Sequence, residues 1–366
     1  MDHIRLMKPY VTFEEVESDF REVFESGIFS RGKNIDAFRK EIAAYTGAKH
    51  AFLTTSATTA LWTCLKLLNI GVDDEVIVSD FSFPASVNVV EDLGAKPVFA
   101  DVDLSTFNML PEDLELKITH KTKAVIFVDA LGNPTGLTKV KKICDKHCIP
   151  LIEDAACAMG SSENKKRCGG IADLTCFSFH PRKLICAGEG GAITTEHDDW
   201  AEWLEIKLGH GASGIKGIAL DFTEYGYNFR MSELQAIMGR KQLIKLDSII
   251  EERNKIRQAY NDQLEPLGYR IQKLGSKVKH NCQSLVFRVP DRLCRDHLVK
   301  YLKDNLIEST IGYYSLSALT YYQKRYSDVQ PNSRKLNNTT ITLPCYDGVD
   351  VERVVDVMLN LKGEKN

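Results

Sequence analysis

Three segments of the sequence carry side chains that together could bind a phosphate group and attack a carbonyl carbon. Residues 56–59, Ser-Ala-Thr-Thr, combine small residues and hydroxyls at the start of a predicted helix. Unpaired N–H groups and the helix dipole favour an anion there. Asp154 ends an apolar segment, and a buried carboxylate needs a cation or several donors. Lys183 lies in a segment bounded by Gly and Pro, where a partly buried amine suits Schiff-base chemistry.

Each of these features also has an ordinary structural explanation. A serine such as Ser56 commonly caps a helix, an aspartate such as Asp154 can cap a turn, and most lysines are solvated surface groups. The glycine cluster at residues 188–191 adds a tight turn at which the backbone can approach another group closely. The combination, with each feature at the end of a predicted strand, favours a binding site over three unrelated structural residues.

Apolar segments alternate with helical patterns through the first half of the chain, and this pattern predicts the scaffold. Short buried strands separated by helices indicate an α/β fold with a mostly parallel sheet that helices cover on both faces. Ligands of such sheets bind at the carboxyl ends of the strands, where the three segments lie. The predicted strands are residues 51–55, 75–79, 97–101, 124–128, 151–154, 175–179 and 191–195.

The second half of the chain has a different pattern. A long helix is predicted from residue 231 to about 264, and the remainder alternates strands and helices of a smaller α+β unit. We therefore expect a large domain over residues 1–245, with an N-terminal helical segment, and a small C-terminal domain over residues 246–366.

Composition excludes several classes of function. The net charge of −3 gives no general surface for nucleic acid, and no segment approaches the roughly 18 apolar residues of a membrane span. No apolar segment of a signal peptide follows Met1. The ten cysteines are scattered, which suits reduced thiols in the cytoplasm. Cys144 and Cys148 are four apart on a predicted helix, but no second ligand pair follows, so we expect buried thiols and no metal.

The segments 178–183 (Ser-Phe-His-Pro-Arg-Lys) and 188–191 (Gly-Glu-Gly-Gly) resemble the signature of the DegT/DnrJ/EryC1/StrS aminotransferases. The resemblance runs nearly from end to end. It implies a fold type I pyridoxal-phosphate (PLP) enzyme, with a large domain and a smaller C-terminal α+β domain. Further matching segments are residues 81–88, 152–156, 227–235 and 343–346.

The resemblance also implies a role for each matching residue. Lys183 would carry PLP as a Schiff base, and Asp154 would pair with the pyridine nitrogen. The other cofactor-binding positions would be Ala57, Thr58 and Ser178 at the phosphate, Phe83 stacked on the ring, Cys157 near the phenolic oxygen, and Asn228 at the phosphate of the partner subunit's cofactor.

The activity implied by the resemblance is a ping-pong transamination. L-Glutamate would leave as 2-oxoglutarate, pyridoxamine phosphate would be the intermediate form of the cofactor, and the keto group of a nucleotide-linked sugar would be aminated. Such enzymes serve surface-polysaccharide or amino-sugar biosynthesis, and the role of Asn228 implies a homodimer with shared active sites. A lysine rather than a histidine at position 183 argues against the pyridoxamine-dependent sugar dehydratases of the same family.

Four departures from the family pattern leave the substrate open, and we expect all of them near the cofactor or substrate. Ala57 stands where Gly is usual, Cys157 where Gln is usual, residues 129–130 (Asp-Ala) where His-Leu or His-Tyr is common, and residues 186–187 (Cys-Ala) where Thr-Thr is usual. A small phosphorylated ketone remains an alternative acceptor, and a non-catalytic PLP-binding regulator a third reading. The sequence does not distinguish pocket residues from surface residues among Arg31, Lys33, Arg182, Arg230, Tyr313 and Tyr314.

Overall fold

The computed structural model describes residues 2–361 of the chain. None of the helices within that range is both long and apolar enough to cross a membrane. The α-helices are α1 (Phe13–Ser26), α2 (Lys33–Thr46), α3 (Ala57–Leu67), α4 (Ala85–Asp92), α5 (Pro111–Lys117), α6 (Leu137–Lys146), α7 (Asp198–Leu208), α8 (Glu233–Leu243), α9 (Leu246–Leu264), α10 (Arg295–Asp304), α11 (Thr320–Tyr326), α12 (Pro331–Thr339) and α13 (Val351–Leu359).

The strands form one large sheet and several small ones. They are β1 (His50–Thr54), β2 (Glu75–Ser79), β3 (Phe81–Ser82), β4 (Lys96–Ala100), β5 (Thr122–Val128), β6 (Leu151–Asp154), β7 (Ser162–Glu163), β8 (Lys166–Arg167), β9 (Leu174–Ser178), β10 (Gly191–Thr195), β11 (Ala212–Lys216), β12 (Ala219–Phe222), β13 (Arg270–Ile271), β14 (Val278–Lys279), β15 (Leu285–Arg288), β16 (Thr310–Ile311), β17 (Tyr314–Ser315) and β18 (Thr340–Leu343).

The large sheet has seven strands in the order β1-β10-β9-β6-β5-β2-β4. Strand β10 is antiparallel to both of its neighbours, and the other neighbouring strands pair in parallel. Most residues of these strands are buried, because helices cover both faces. The predicted α/β fold with a mostly parallel sheet is therefore confirmed, and the carboxyl ends of β6 and β9 lie side by side.

The start of α3 is fixed by its own side chains. Ser56 Oγ accepts a hydrogen bond from the Thr59 amide at 3.1 Å, and Thr59 Oγ1 accepts one from the Ser56 amide at 3.1 Å. This reciprocal pair is a capping box. It leaves the amides of Ala57 and Thr58 as the first-turn donors that have no partner within the helix.

The helix predicted over residues 231–264 is wrong as a single element, because it is broken between α8 and α9. At the break, the Lys245 amide bonds to the Gln242 carbonyl, three residues back, which tightens the chain. The Gln242 side chain is fully buried and bonds to the backbone N–H and C=O of Cys186. We attribute the break to this contact between distant parts of the chain. Helix propensity, which depends on local sequence, does not predict it.

The C-terminal part builds a four-stranded antiparallel sheet in the order β13-β15-β18-β16. The N-terminal segment packs on it, since Ile4 forms a parallel bridge with Ile307. Helix α9 contributes Leu246 to an apolar cluster of the large sheet and Tyr260 to the cluster of the small sheet. The division near residue 245 stays a prediction, with α9 as the connecting element.

Asp80 joins the two parts next to the carboxyl ends of the large sheet. Its carboxylate accepts hydrogen bonds from the hydroxyls of Ser315 and Ser317, at 2.8 and 2.9 Å, and from the Ser317 amide at 2.6 Å. Burial raises the pKa of Asp80 to about 6 although these donors oppose the rise. Beside it, β3 pairs with β17, so the two parts are in contact at the rim of the site.

The prediction of two buried thiols on one helix is wrong for one of them. Cys144 is buried in α6, but α6 ends at Lys146. Cys148 follows in a left-handed turn, with φ 53°, and is exposed. A turn rather than a helix therefore separates the two sulfurs.

Candidate active site

A cavity of about 430 Å³ opens where the strand ends meet the C-terminal part. Seven of the eight residues that the sequence assigned to the site line it. Asn228 is exposed and does not line the cavity of its own chain. The lining residues are Ala57, Thr58, Phe83, Asp154, Cys157, Ser178 and Lys183.

One end of the cavity is suited to a phosphate. The N-terminus of α3 presents the free amides of Ala57 and Thr58, and Ser178 lies at the end of β9 beside it. Gly191 allows this arrangement, because a Cβ at that position would lie 2.5 Å from the Ser56 carbonyl carbon. An anion at this helix terminus gains from both the N–H groups and the helix dipole.

Asp154 lies at the end of β6 and is 5% exposed. Its Oδ2 accepts a hydrogen bond from Ser86 Oγ at 2.6 Å, and its Oδ1 accepts one from the Ala156 amide at 3.2 Å. Burial raises the pKa of Asp154, while the Ser86 bond, the Ala156 amide and the charge of Lys183 oppose the rise. A cation in the cavity would favour the ionised carboxylate further.

The amine of Lys183 points to a sulfur. Its Nζ lies 3.1 Å from Cys157 Sγ, and the same sulfur lies 3.0 Å from Tyr313 Oη. Phe83 is 56% exposed at the cavity and meets Tyr314 edge-on, with ring centroids 6.3 Å apart. The cavity thus has an amine, a carboxylate at the end of β6 and a largely exposed aromatic ring.

The sequence missed Ser86 and left two residues that line the cavity, Arg182 and Tyr313, undecided. Ser86 lies in the segment 81–88 that resembles the family, but its role depends on the distance to Asp154, which the sequence does not contain. Tyr313 was one of several undecided pocket candidates, and the cavity includes it. Its neighbour Tyr314 contacts Phe83 instead.

The departures from the family pattern divide into two groups. Ala57 and Cys157 line the cavity, as expected. The departures at residues 129–130 and 186–187 do not line it, contrary to expectation, and are buried. Asp129 instead lies in a buried group with Glu153 and Cys168, whose ligand atoms are all within 4.8 Å of one another.

The residues of the cavity fit PLP on three separate features. The α3 terminus with its close glycine is suited to a phosphate, Asp154 is a buried carboxylate suited to a ring N–H⁺, and Lys183 offers an amine to the same cavity. These are the donor, acceptor and nucleophile that a phosphorylated pyridine aldehyde requires.

Comparison with known proteins gives the family. The model of the DegT/DnrJ/EryC1/StrS aminotransferase family matches residues 12–362. The chain is 31% identical to the spore coat polysaccharide biosynthesis protein SpsC of Bacillus subtilis, over 96% of this chain and 94% of that protein. It is 32% identical to the GDP-perosamine synthase of Vibrio cholerae, over 93% of both chains.

The solved structures agree with this match. Spr1654 of Streptococcus pneumoniae, in its PLP form, superposes with a TM-score of 0.89 at 26% identity, covering 97% of both chains. A structure of its PMP form is similar to the same degree. The family uses pyridoxal phosphate, and the enzymes named in it are aminotransferases. The chain belongs to the DegT/DnrJ/EryC1/StrS aminotransferase family.

Proposed function

We propose that this protein is a PLP-dependent aminotransferase that moves an amino group from L-glutamate to the keto group of a nucleotide-linked sugar. The observation that carries the proposal is the presence of Lys183, Asp154 and the α3 terminus around one cavity. The similarity to a GDP-perosamine synthase and to a spore coat polysaccharide biosynthesis protein supports a sugar nucleotide acceptor and a role in polysaccharide biosynthesis.

Each residue around the cavity has a separate role in the proposed reaction. PLP, when bound, supplies a ring that withdraws electrons from the substrate carbon next to the nitrogen. Lys183 would hold the cofactor covalently. Once the amino donor has displaced it, its free Nζ would move the proton from the donor's α-carbon to the cofactor carbon that the lysine had held, and would move a proton in the opposite direction in the half-reaction with the acceptor. Asp154 keeps a negative charge on the floor of the cavity, and Ser86 holds this carboxylate in place.

The proposal includes a homodimer whose active sites are completed across the interface. The β11–β12 hairpin and the residues just after it expose large apolar side chains, which is typical of an interface. Asn228 follows this hairpin and is exposed, in agreement with a role in the partner's site. The exposed side chains are Ile215, Ile218, Leu220, Phe222 and Tyr225.

Arg230, two residues after Asn228, and the nearby Arg31 support an anionic acceptor, although neither lines the cavity of its own chain. Arg230 Nη1 is buried and has no hydrogen-bond partner among the described residues. Burial and the nearby Arg31 lower the pKa of Arg230, and neither guanidinium forms an ion pair within residues 2–361. A diphosphate would satisfy both groups. A cytoplasmic location is part of the proposal, and the ten free cysteines support it.

The first test uses the colour of the cofactor. Purified protein should absorb visible light, Lys183→Ala should lose this band, and L-glutamate should convert the cofactor to its PMP form. An unchanged spectrum in Lys183→Ala would rule out the assignment of the lysine. Nucleotide-linked 3-keto and 4-keto sugars should then restore the PLP spectrum, and small keto-phosphates should not.

The second test addresses the shared site. Lys183→Ala and Asn228→Asp are each expected to be nearly inactive, and mixed dimers of the two should recover about a quarter of wild-type activity, because half of the dimers are mixed and each has one intact site. The matched control mixes Lys183→Ala with Asp154→Asn. Both of these residues belong to the cavity of one chain, so no recovery is expected.

A further inference from the structure

Tyr313 occupies a junction between the two parts of the chain. It lies between β16, which pairs with β18 of the small sheet, and β17, which pairs with β3 beside the large sheet. Its ring packs edge-on against Phe81, with centroids 5.9 Å apart. Gly312 next to it cannot carry a side chain, because a Cβ there would lie 2.4 Å from Thr340 Oγ1. The contact with Phe81 and the close packing of the neighbouring backbone place the Tyr313 ring at this junction.

The hydroxyl of Tyr313 is the far end of a short hydrogen-bonded chain. Tyr313 Oη lies 3.0 Å from Cys157 Sγ, which lies 3.1 Å from Lys183 Nζ. Burial raises the pKa of Tyr313 well above 10, and the nearby Cys157 raises it further. Tyr313 thus keeps its hydrogen at neutral pH. Lys183 Nζ donates to Cys157 Sγ, and the phenol lies within hydrogen-bond distance of the same sulfur, to which it can donate as well.

The Tyr313 hydroxyl can also compensate for the weak hydrogen bonding of the Cys157 thiol. The resemblance implies that the family usually has a glutamine in the position of Cys157, near the phenolic oxygen of the cofactor. A thiol is a much weaker hydrogen-bonding group than a carboxamide. A phenol is a strong donor, and Tyr313 places one at the cavity beside the sulfur. The pair can therefore supply the defined hydrogen-bonding position that one glutamine side chain would provide.

We propose that Tyr313 is a positioning residue of the active site, whose hydroxyl holds Cys157 Sγ against Lys183 Nζ and thereby sets how readily that nitrogen carries a proton. The inference rests on the proposed role of Lys183. The positive end of the O–H dipole points at the sulfur next to the nitrogen, so it opposes a positive charge on Nζ. Loss of the hydroxyl should favour the protonated nitrogen.

The test is the pH titration of the visible absorbance of the PLP-loaded enzyme. In Tyr313→Phe the midpoint should move up by roughly half to one pH unit, while the ring and its contact with Phe81 remain. The other titratable or charged groups around the cavity stay unchanged in this variant. These groups are Asp154, His180, Arg182, Glu189, Arg253 and Cys345.

Two controls separate this role from a general structural one. Tyr314→Phe makes the same chemical change one residue away, beside Phe83, and should leave the midpoint in place. Cys157→Ala should shift the midpoint itself, and adding Tyr313→Phe to it should produce no further shift, because the hydroxyl acts through the sulfur.

The outcomes distinguish this inference from the proposed function. A visible band that disappears in Lys183→Ala supports the role of the lysine whatever Tyr313 does. If the band is present and Tyr313→Phe titrates like the wild type, or if its shift simply adds to that of Cys157→Ala, the positioning role is wrong. Should Tyr313→Phe not fold, an unshifted midpoint in Cys157→Ala alone overturns the inference.

Discussion

Glu153 and Asp154 are neighbours in β6, but their carboxylates have opposite surroundings. Successive side chains of a strand point to opposite faces. Asp154 lines the cavity, and both of its oxygens have donors. Glu153 is fully buried, with Oε2 bonded to Thr175 Oγ1 at 2.7 Å, and one of its carboxylate oxygens lies within 4.8 Å of an Asp129 oxygen. Asp154 is therefore available for chemistry in the cavity, whereas Glu153 supports the packing of the interior. In the sequence the two residues are simply adjacent acids.

The buried group requires a proton. Both oxygens of Asp129 and Oε1 of Glu153 have no hydrogen-bond partner among the described residues, and both side chains are completely buried. Burial and the charge of Glu153 raise the pKa of Asp129 well above its ordinary value. A protonated Asp129 can donate to Glu153 Oε1, which removes one buried charge and pairs the remaining one. Asp154 has no such neighbour and stays available for a cation in the cavity.

The largest expected effect is the loss of kcat when Asp154 is replaced. Asp154→Asn should lower kcat by about 10³-fold, because the charge that supports the ring nitrogen is lost. The amide oxygen can still accept from Ser86, so circular dichroism should show an intact fold. Glu153→Gln is the matched control, with kcat within about tenfold of wild type. Equal losses in the two variants would contradict the division of roles.

The next effect is on stability. Glu153→Ala leaves the Thr175 hydroxyl and the Gly169 amide without their acceptor, so the free energy of unfolding should fall by about 2–4 kcal/mol. Urea unfolding followed by circular dichroism measures it. Thr175→Val removes one donor and leaves Glu153 in place, and it should cost about 1 kcal/mol. A Glu153→Ala protein as stable as wild type would show that the buried acid does not support the fold.

The third effect is a change in how the free energy of unfolding depends on pH. Because the pKa of Asp129 is raised on folding, the folded protein binds more protons than the unfolded chain above the ordinary value of 3.8. The stabilisation is therefore complete below that value and is lost as pH rises through the raised pKa. In the wild type, the free energy of unfolding should therefore decline as pH rises through this range. Asp129→Asn should reduce the slope of that decline by up to about 1.4 kcal/mol per pH unit. Urea unfolding at several pH values measures it, and parallel curves would contradict a buried proton.

The smallest effect concerns the support of Asp154. The Ser86 hydroxyl lowers the pKa of Asp154, so Ser86→Ala should raise that pKa and move the acidic limb of the kcat/KM profile to higher pH by roughly half a unit. Ser82→Ala, one hydrogen bond further away, should leave the limb in place. If the acidic limb of the kcat/KM profile does not move in Ser86→Ala, Ser86 does not support the ionised form of Asp154.

Local chemistry made much of the site predictable. Parallel strands bring their carboxyl ends to one edge, so the places of Asp154, Ser178 and the Ser56 cap followed from the strand pattern alone. The segment around Lys183 already suggested a Schiff-base lysine, and the family resemblance then gave that lysine its cofactor and added Phe83. The break at Lys245 was not predictable, because a residue 56 positions away, Cys186, anchors Gln242 there.

The sequence by itself determined the α/β scaffold, the family and seven of the residues that line the cavity, because those properties depend on periodicity and on motifs within single segments. The tertiary structure decided which face of β6 each acid occupies, which residue supports Asp154, and that Tyr313 rather than Tyr314 reaches Cys157. The last contact joins positions 156 residues apart. It depends on how β17 pairs with β3, and no local pattern encodes that pairing.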